Sequence, residues 1–498
     1  MKILKHLSVF ALVLVMATGC KKDVLEVENN NQPDFDRVYA SGEGLENLTS
    51  SLFNNFYGGV HSYSGVELML GTAADHFSCS WGNQAMRDMS WEPRDFAWNN
   101  SPSYSYQATT NFFFDRMYGV IVTASNVLTA MENGVDIGAN GADNERAKAF
   151  LQFSKGIAFG QLALVFDKAF VVDENIIIEN ESLDEASSFE DVKNAAVGYL
   201  DEAIALSNGS FTIPKSWLGT ASDMSSAEFK KLCNTMAARI LSYTPRNSTQ
   251  LAAVDWNKVK TYADNGITSD FTVINDGYVK WYAEAGDYAT FPGWGVTDMY
   301  VVNLLDPQLP QHWDDSPSFP YPPASTNPDA DKRITTDFEF LGSNWFQAAR
   351  GYYHYSNYRH ARYDAMYAIG EGPKPEVMLS ENDMLRAEAR VYLDDLAGAA
   401  AIINAGTRNT RGELPDVAAV KEDLIQAIHH ERHVEMYTTG AGIQFFEMRK
   451  LNLLQKGTPL HLPLPAKKLE LFSLPLPFYT FGGTANADGI NVSNGGWR

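Results

Sequence analysis

The sequence predicts a mostly α-helical protein: a scaffold of tetratricopeptide-like helical hairpins packed against an irregular, loop-rich subdomain with few short strands. Three observations carry that prediction. Apolar residues recur at helical spacing through the first half, the period breaks near residue 271 into interleaved Pro, Gly, Asn and aromatic residues, and it resumes near residue 380. With 498 residues, 45% of them hydrophobic, the chain is long enough for one large domain or two to three smaller ones.

Residues 1–19 read as a signal peptide. Lys2 and Lys5 precede an apolar run from Leu7 to Ala17 that is too short to span a bilayer, and Thr18 and Gly19 lead into Cys20. This is the layout of a bacterial lipoprotein signal, in which cleavage before Cys20 leaves its thiol as a thioether to diacylglycerol. Two or more acyl chains then make a lasting membrane anchor. The competing reading is a secretory signal with a chance cysteine, because a lipobox usually has Leu where Ala17 stands. Residues 20–33, with Lys21, Lys22, Glu26, Glu28 and an Asn run, read as a flexible tether.

Five helices are expected between residues 34 and 270. Phe112 to Met131 sets Met117, Ile121, Ala124 and Leu128 on one face, and Glu145 to Phe166 does the same with Ala149, Phe153, Ile157 and Leu164. Phe189 to Leu206 repeats the spacing, Glu228 to Tyr243 is stopped by Thr244-Pro245, and Asp255 to Asp264 is short. Residues 271–375 form the irregular insertion. Residues 277–367 hold 20 of the chain's 61 aromatic residues, which argues for an ordered segment, since flexible linkers are aromatic-poor. Residues 376–498 return to helix: Ser380 is placed to cap a helix with Leu385, Ala389 and Tyr392 inside, followed by helices near 398–405 and 420–437.

A net charge of −22 argues against nucleic acid or anionic phospholipid as a partner. No later apolar run is long enough for a transmembrane helix. Cys79 and Cys233 can pair in an oxidising compartment, although Cys233 sits in an apolar helical run that favours a buried thiol. His429, His430 and His433 have no third ligand and miss the zincin spacing, so they read as structural. Asp329 and Asp331 beside Lys332 and Arg333 lack a calcium-loop continuation and read as a solvated turn. No phosphate-binding glycine loop or nucleophile elbow occurs. No cofactor is implied, and whether a calcium ion assists is open.

What remains is aromatic residues in polar settings. Trp81, Trp91 and Trp98 lie among Arg94, Asn99 and Asn100; Trp281, Tyr282, Trp294, Tyr300 and Trp313 lie in the second block near Asp298 and Asn303. A sugar packs its C–H face on such rings while Asn, Asp and Arg bond its hydroxyls. The candidate ligand residues are Trp81, Arg94, Trp98, Asn99, Tyr282, Trp294 and Trp313. For any single ring, packing in the core is the competing role.

Several segments together resemble the SusD/RagB family of Bacteroidetes outer-membrane lipoproteins. Phe114 to Ile121 with Ala124, Asn126 and Leu128 is similar to the family's Y-x-x-I-x-x-A-N-x-L helix, and Thr235 to Leu241 to its A-x-A-L-L-A-R helix. Asp331-Lys332-Arg333 resembles its D-x-R segment, and Met384 to Ala389 its A-E-A helix. Asn404, Arg408, Arg411, Leu414 and Pro415, then Ile428, Glu431, Arg432, Glu435 and Phe446 to Arg449, follow its C-terminal motifs, which close on Leu462-Pro463-Leu464-Pro465. The chain departs from the pattern at Lys168-Ala169-Phe170, at Gln444-Phe445 and at Glu447. In such a chain Glu431 and Arg432 are expected to pair with Arg408 or Arg411 as packing residues.

The resemblance implies a cell-surface, lipid-anchored protein that captures glycan without cleaving it. It would hand the glycan to a SusC-like TonB-dependent transporter of the outer membrane, which its scaffold side contacts. Acidic residues behind Cys20 resemble the export signal of such lipoproteins. Capture of peptides in place of glycan, as in RagB-like members, is the alternative within the same architecture, and a surface hydrolase is a more distant one.

Overall fold

The computed structural model describes residues 35–79, 82–92, 94, 98–173, 186–313, 323–343, 355–479 and 495–498. The signal peptide, the tether, Cys20 and Trp81 lie outside them. The long helices are α1 (Gly42–His61), α2 (Glu67–Ala73), α3 (Gln107–Glu132), α4 (Asn144–Val165), α5 (Phe189–Leu206), α6 (Ser226–Tyr243) and α7 (Trp256–Asp264). In the irregular segment α8 (Glu284–Thr290) and α9 (Met299–Leu305) are short. The C-terminal part contributes α10 (Leu379–Tyr392), α11 (Leu396–Ala405), α12 (Lys421–Val434) and α13 (Ile443–Lys450). Each scaffold helix packs on the next: α1 on α3, α3 on α4, α4 on α5, α5 on α6, α6 on α7, α7 on α10, and α10 on both α11 and α12. That order is the stacking expected of helical hairpins.

Local chemistry explains where these helices begin. Ser188 accepts a hydrogen bond from the Asp191 amide at 3.2 Å to start α5, and Ser225 with Glu228 forms a reciprocal capping box on α6. Asp255 accepts from the Lys258 amide to start α7. α4 is buried nearly all round, as a central helix with apolar residues on every face must be. Ser380 differs from expectation: it lies inside α10, and the Leu379 amide is capped instead by Asp270 at 2.7 Å. α1 has no counterpart in the sequence reading, because its Gly, Asn and Ser content hides the stripe of Leu45, Leu52, Phe53, Phe56 and Val60.

The strands are few and short. β1 (Phe77–Cys79) pairs antiparallel with β3 (Gly295–Thr297), β4 (Phe338–Phe340) with β5 (Tyr358–His360), and β2 (Phe271–Asp276) with β6 (Glu371–Val377). The β2–β6 pair, with Phe271 opposite Val377 and Asp276 opposite Glu371, ties the two ends of the irregular segment together. The segment shares its core with the helices: Phe338 and Tyr358 belong to the same buried cluster as Phe53, Phe153 and Tyr437.

A buried charge network organises the C-terminal helices. Arg333 bonds Asp331 at 2.7 Å, Glu431 at 2.6 Å and Glu435 at 3.0 Å, and all four side chains are buried. Arg432 bonds Glu388 and Glu447 at 2.7 and 2.6 Å, and Lys450 bonds Glu388 at 2.6 Å. Burial alone would raise the Glu388 pKa, yet Arg432 and Lys450 hold it down at about 2. Two expectations are corrected here. Asp331 is not in a solvated turn, because Arg333 draws it inside. Glu431 takes Arg333 as its partner in place of Arg408 or Arg411, while Arg411 bonds Glu435 at 2.5 Å and Asp337 at 2.7 Å. The side chains of His429, His430 and His433 are buried, and burial lowers the first two to a pKa of about 4. His429 meets the Tyr300 hydroxyl at 2.7 Å. Cys233 is a free, buried thiol whose pKa burial raises.

Candidate functional site

An open cleft of about 580 Å³ lies where the end of α1 meets the first part of the irregular segment. Tyr63 and Asn83 line it from one side, Tyr278 and Tyr282 from the loop after β2, and Glu284, Asp287 and Tyr288 from α8. Phe291 and Trp294 close it. Glu284, Asp287 and Tyr288 are three and four residues apart, so one face of α8 presents them together.

The loop after β2 is built around one carboxylate. Asp276 Oδ1 accepts from the amides of Val279, Lys280 and Trp281 at 3.1, 2.9 and 2.9 Å, which holds the turn shut. Tyr278 sits in that turn with φ 66°, a left-handed conformation that costs a non-glycine residue roughly 1–2 kcal/mol. Its ring is nevertheless 64% exposed.

Trp294 is positioned from the other side. Its amide bonds the Phe291 carbonyl at 3.0 Å, and β3 begins at the next residue. A Cβ at Gly295 would lie 1.9 Å from the Ala289 carbonyl oxygen, so only glycine lets the end of α8 approach the strand.

The rings form two connected groups. Tyr63 and Tyr288 lie 4.9 Å apart, Tyr288 and Trp294 5.2 Å, and Phe291 and Trp294 4.8 Å, all tilted. Tyr278 and Tyr282 lie 3.7 Å apart. Phe291 and Trp294 are 45% and 39% exposed, so ring faces remain open. Polar atoms run along the edges. The Tyr278 hydroxyl donates to Tyr282 at 2.7 Å, which donates to Asp287 at 2.5 Å, and Asn83 donates to the Tyr63 hydroxyl at 2.6 Å. Glu284 accepts from the Tyr63 amide at 2.8 Å. Burial, with Glu284 and Asp364 nearby, raises the Asp287 pKa against the opposing bond from Tyr282. Burial and the bond to Asp287 raise that of Tyr282.

Of the candidate residues read from sequence, Tyr282 and Trp294 come together in this cleft. The others do not. Trp98 is 2% exposed and packs edge-on against Tyr104 in the core, so it offers no face to a ligand. Trp313 is buried behind β3, stacked edge-on at 4.5 Å on Tyr355 and bonded to its carbonyl. Arg94 forms a buried ion pair with Asp75 and bonds Thr458. Asn99 is half-buried and outside the cleft lining. Trp281 and Tyr300 are core residues. Sequence reasoning missed Tyr63, Tyr278, Glu284, Asp287, Tyr288 and Phe291; the aromatic density of residues 277–367 is the one signal for Tyr278, Tyr288 and Phe291.

Other clefts open elsewhere on the described residues. One, between α5 and α7, is lined by Lys193, Asp201 and Lys258; a larger one of about 860 Å³ beside α3 is lined by Asn111, Arg116 and Lys468. Neither gathers open rings, so volume alone does not select the site.

The stacked helices and the aromatic lobe seated on them define a mostly α protein with a ring-lined cleft. No protein-family model and no curated protein matches the chain. Solved structures do. A SusD-like carbohydrate binding protein from Bacteroides vulgatus is 17% identical, with 85% of each chain covered and a TM-score of 0.55. A SusD superfamily protein from Parabacteroides distasonis is 11% identical, covering 83% of this chain and 89% of its own, at 0.56. One from Bacteroides thetaiotaomicron is 13% identical, covering 87% and 93%, at 0.55. The chain therefore has the SusD-like fold that its sequence motifs resemble.

Proposed function

We propose that the protein is a SusD/RagB-type lipoprotein of the cell surface. It captures oligo- or polysaccharide in the aromatic cleft and passes it, uncleaved, to a TonB-dependent transporter. The observation that carries the reading is the set of open rings of Tyr278, Phe291 and Trp294 beside Asn83, Glu284 and Asp287. Flat ring faces next to fixed hydrogen-bonding groups suit a sugar, whose apolar and polar faces alternate. The lipoprotein layout before Cys20 supports the surface address. No described helix is long and apolar enough to cross a membrane, which is compatible with an anchor at the first mature residue.

Isothermal titration against neutral polysaccharides and against peptides tests the reading. Binding to a polysaccharide that is weakened by Trp294→Ala supports it. Binding to peptides alone, or chromatographic release of shortened glycan, overturns it. Cys20→Ala should move the protein from the membrane to the soluble fraction.

A further inference from the structure

Among its described residues the cleft has acids and no base. Glu284 and Asp287 line it, and no Lys, Arg or His does so among the described residues. We propose that this site takes uncharged glycan chains and rejects acidic ones, so that the carboxylates select against uronates and sulfated sugars. The proposal rests on the glycan reading above and adds the substrate class.

The argument follows from what the two carboxylates do. In the buried network of the C-terminal helices, acids are neutralised by cations, as Glu388 is by Arg432 and Lys450. Glu284 and Asp287 form no ion pair among the described residues. Glu284 is held by the Tyr63 amide and the Ser62 hydroxyl, and Asp287 by the Tyr282 hydroxyl. Each is thus oriented by neutral donors alone. An ionised carboxylate accepts hydrogen bonds and donates none, so it matches the hydroxyl donors of a neutral sugar. A uronate packed on Trp294 would add a carboxylate to a lining that already holds two, with no cation among its described residues to offset it. The rest of the molecule adds a field of the same sign, since the chain carries −22.

The test uses matched ligands. Starch, mixed-linkage glucan and galactomannan are titrated as they stand and after oxidation of their primary hydroxyls to carboxylates, with polygalacturonate and alginate alongside. The wild type and E284Q/D287N are compared; the amides keep the acceptor oxygens and lose the charge. Oxidation of a bound glycan should weaken binding about ten-fold or more in the wild type and about three-fold or less in E284Q/D287N. Equal or tighter binding of the oxidised form, or an unchanged gap in the double variant, overturns the proposal. Binding of polyuronates alone would overturn it while leaving the glycan reading standing, and binding of no polysaccharide at all would overturn both.

Discussion

In the buried network around the C-terminal helices, Asp331, Glu388, Glu431, Glu435 and Glu447 each meet a guanidinium or ammonium group and are closed off from solvent. In the cleft, Glu284 and Asp287 meet amides and hydroxyls beside rings that stay open. The same side chains serve two ends. Fully paired buried charge holds helices in one register, because any other packing strands an ion. Acids bonded only to neutral donors keep acceptor capacity for something that arrives from outside.

That contrast can be broken from either side, beginning where the effect is largest. Arg333→Ala leaves Asp331, Glu431 and Glu435 buried without their shared cation and should cost about 3–5 kcal/mol in urea denaturation, with the cleft residues untouched. A loss under about 1 kcal/mol would mean the network is incidental. Trp98 and Trp294 make the next comparison. Trp98→Ala opens a core cavity and should also cost roughly 3–5 kcal/mol of stability. Trp294→Ala should cost about 0.5–1.5 kcal/mol in glycan binding with little change in stability. If the two effects were exchanged, the cleft would be misplaced.

A pH series sharpens the picture of buried charge near the cleft. His61 ends α1, two residues before Tyr63, between Glu376 at 2.5 Å and Glu67 at 3.4 Å. Burial lowers its pKa, but the two carboxylates overcome burial and raise it from 6.5 to about 9. The protonated ring therefore stabilises the fold fully below about pH 6.5, and that contribution, roughly 3 kcal/mol, fades as pH rises toward 9. Denaturation midpoints should fall across that window in the wild type and much less in H61N. Equal slopes in the two would show that His61 is not the group responsible.

The sequence made the scaffold readable because burial there follows helical spacing: Phe189 to Leu206 is predicted and observed with the same bounds. The same logic failed for α1, where small and polar residues dilute the stripe. It failed more often in the site. Polar neighbours in sequence suggested that Trp98, Trp313 and Arg94 face a ligand, yet the groups that cover or neutralise them, Tyr104, Tyr355 and Asp75, are not signalled by any spacing. Tyr63 joins Tyr288 in space from 225 positions away, a distance no local pattern spans. Exposure of a ring is a property of the folded surroundings, so composition could mark residues 277–367 as a block but could not choose among their rings.

The β2–β6 pair has a consequence for how such a chain can change. The Gly277 amide bonds the Gly370 carbonyl at 3.0 Å, so the segment departs and returns at one point of the scaffold. Lengthening a loop whose ends are already joined costs only about 0.6 kcal/mol for each doubling of its length. Whatever lies between those glycines behaves as an exchangeable cassette, provided a replacement supplies counterparts of Phe338 and Tyr358 for the shared interior and of Asp331 and Arg333 for the buried charge network. New ligands can be acquired by swapping that cassette while the helices outside it keep their stacking order.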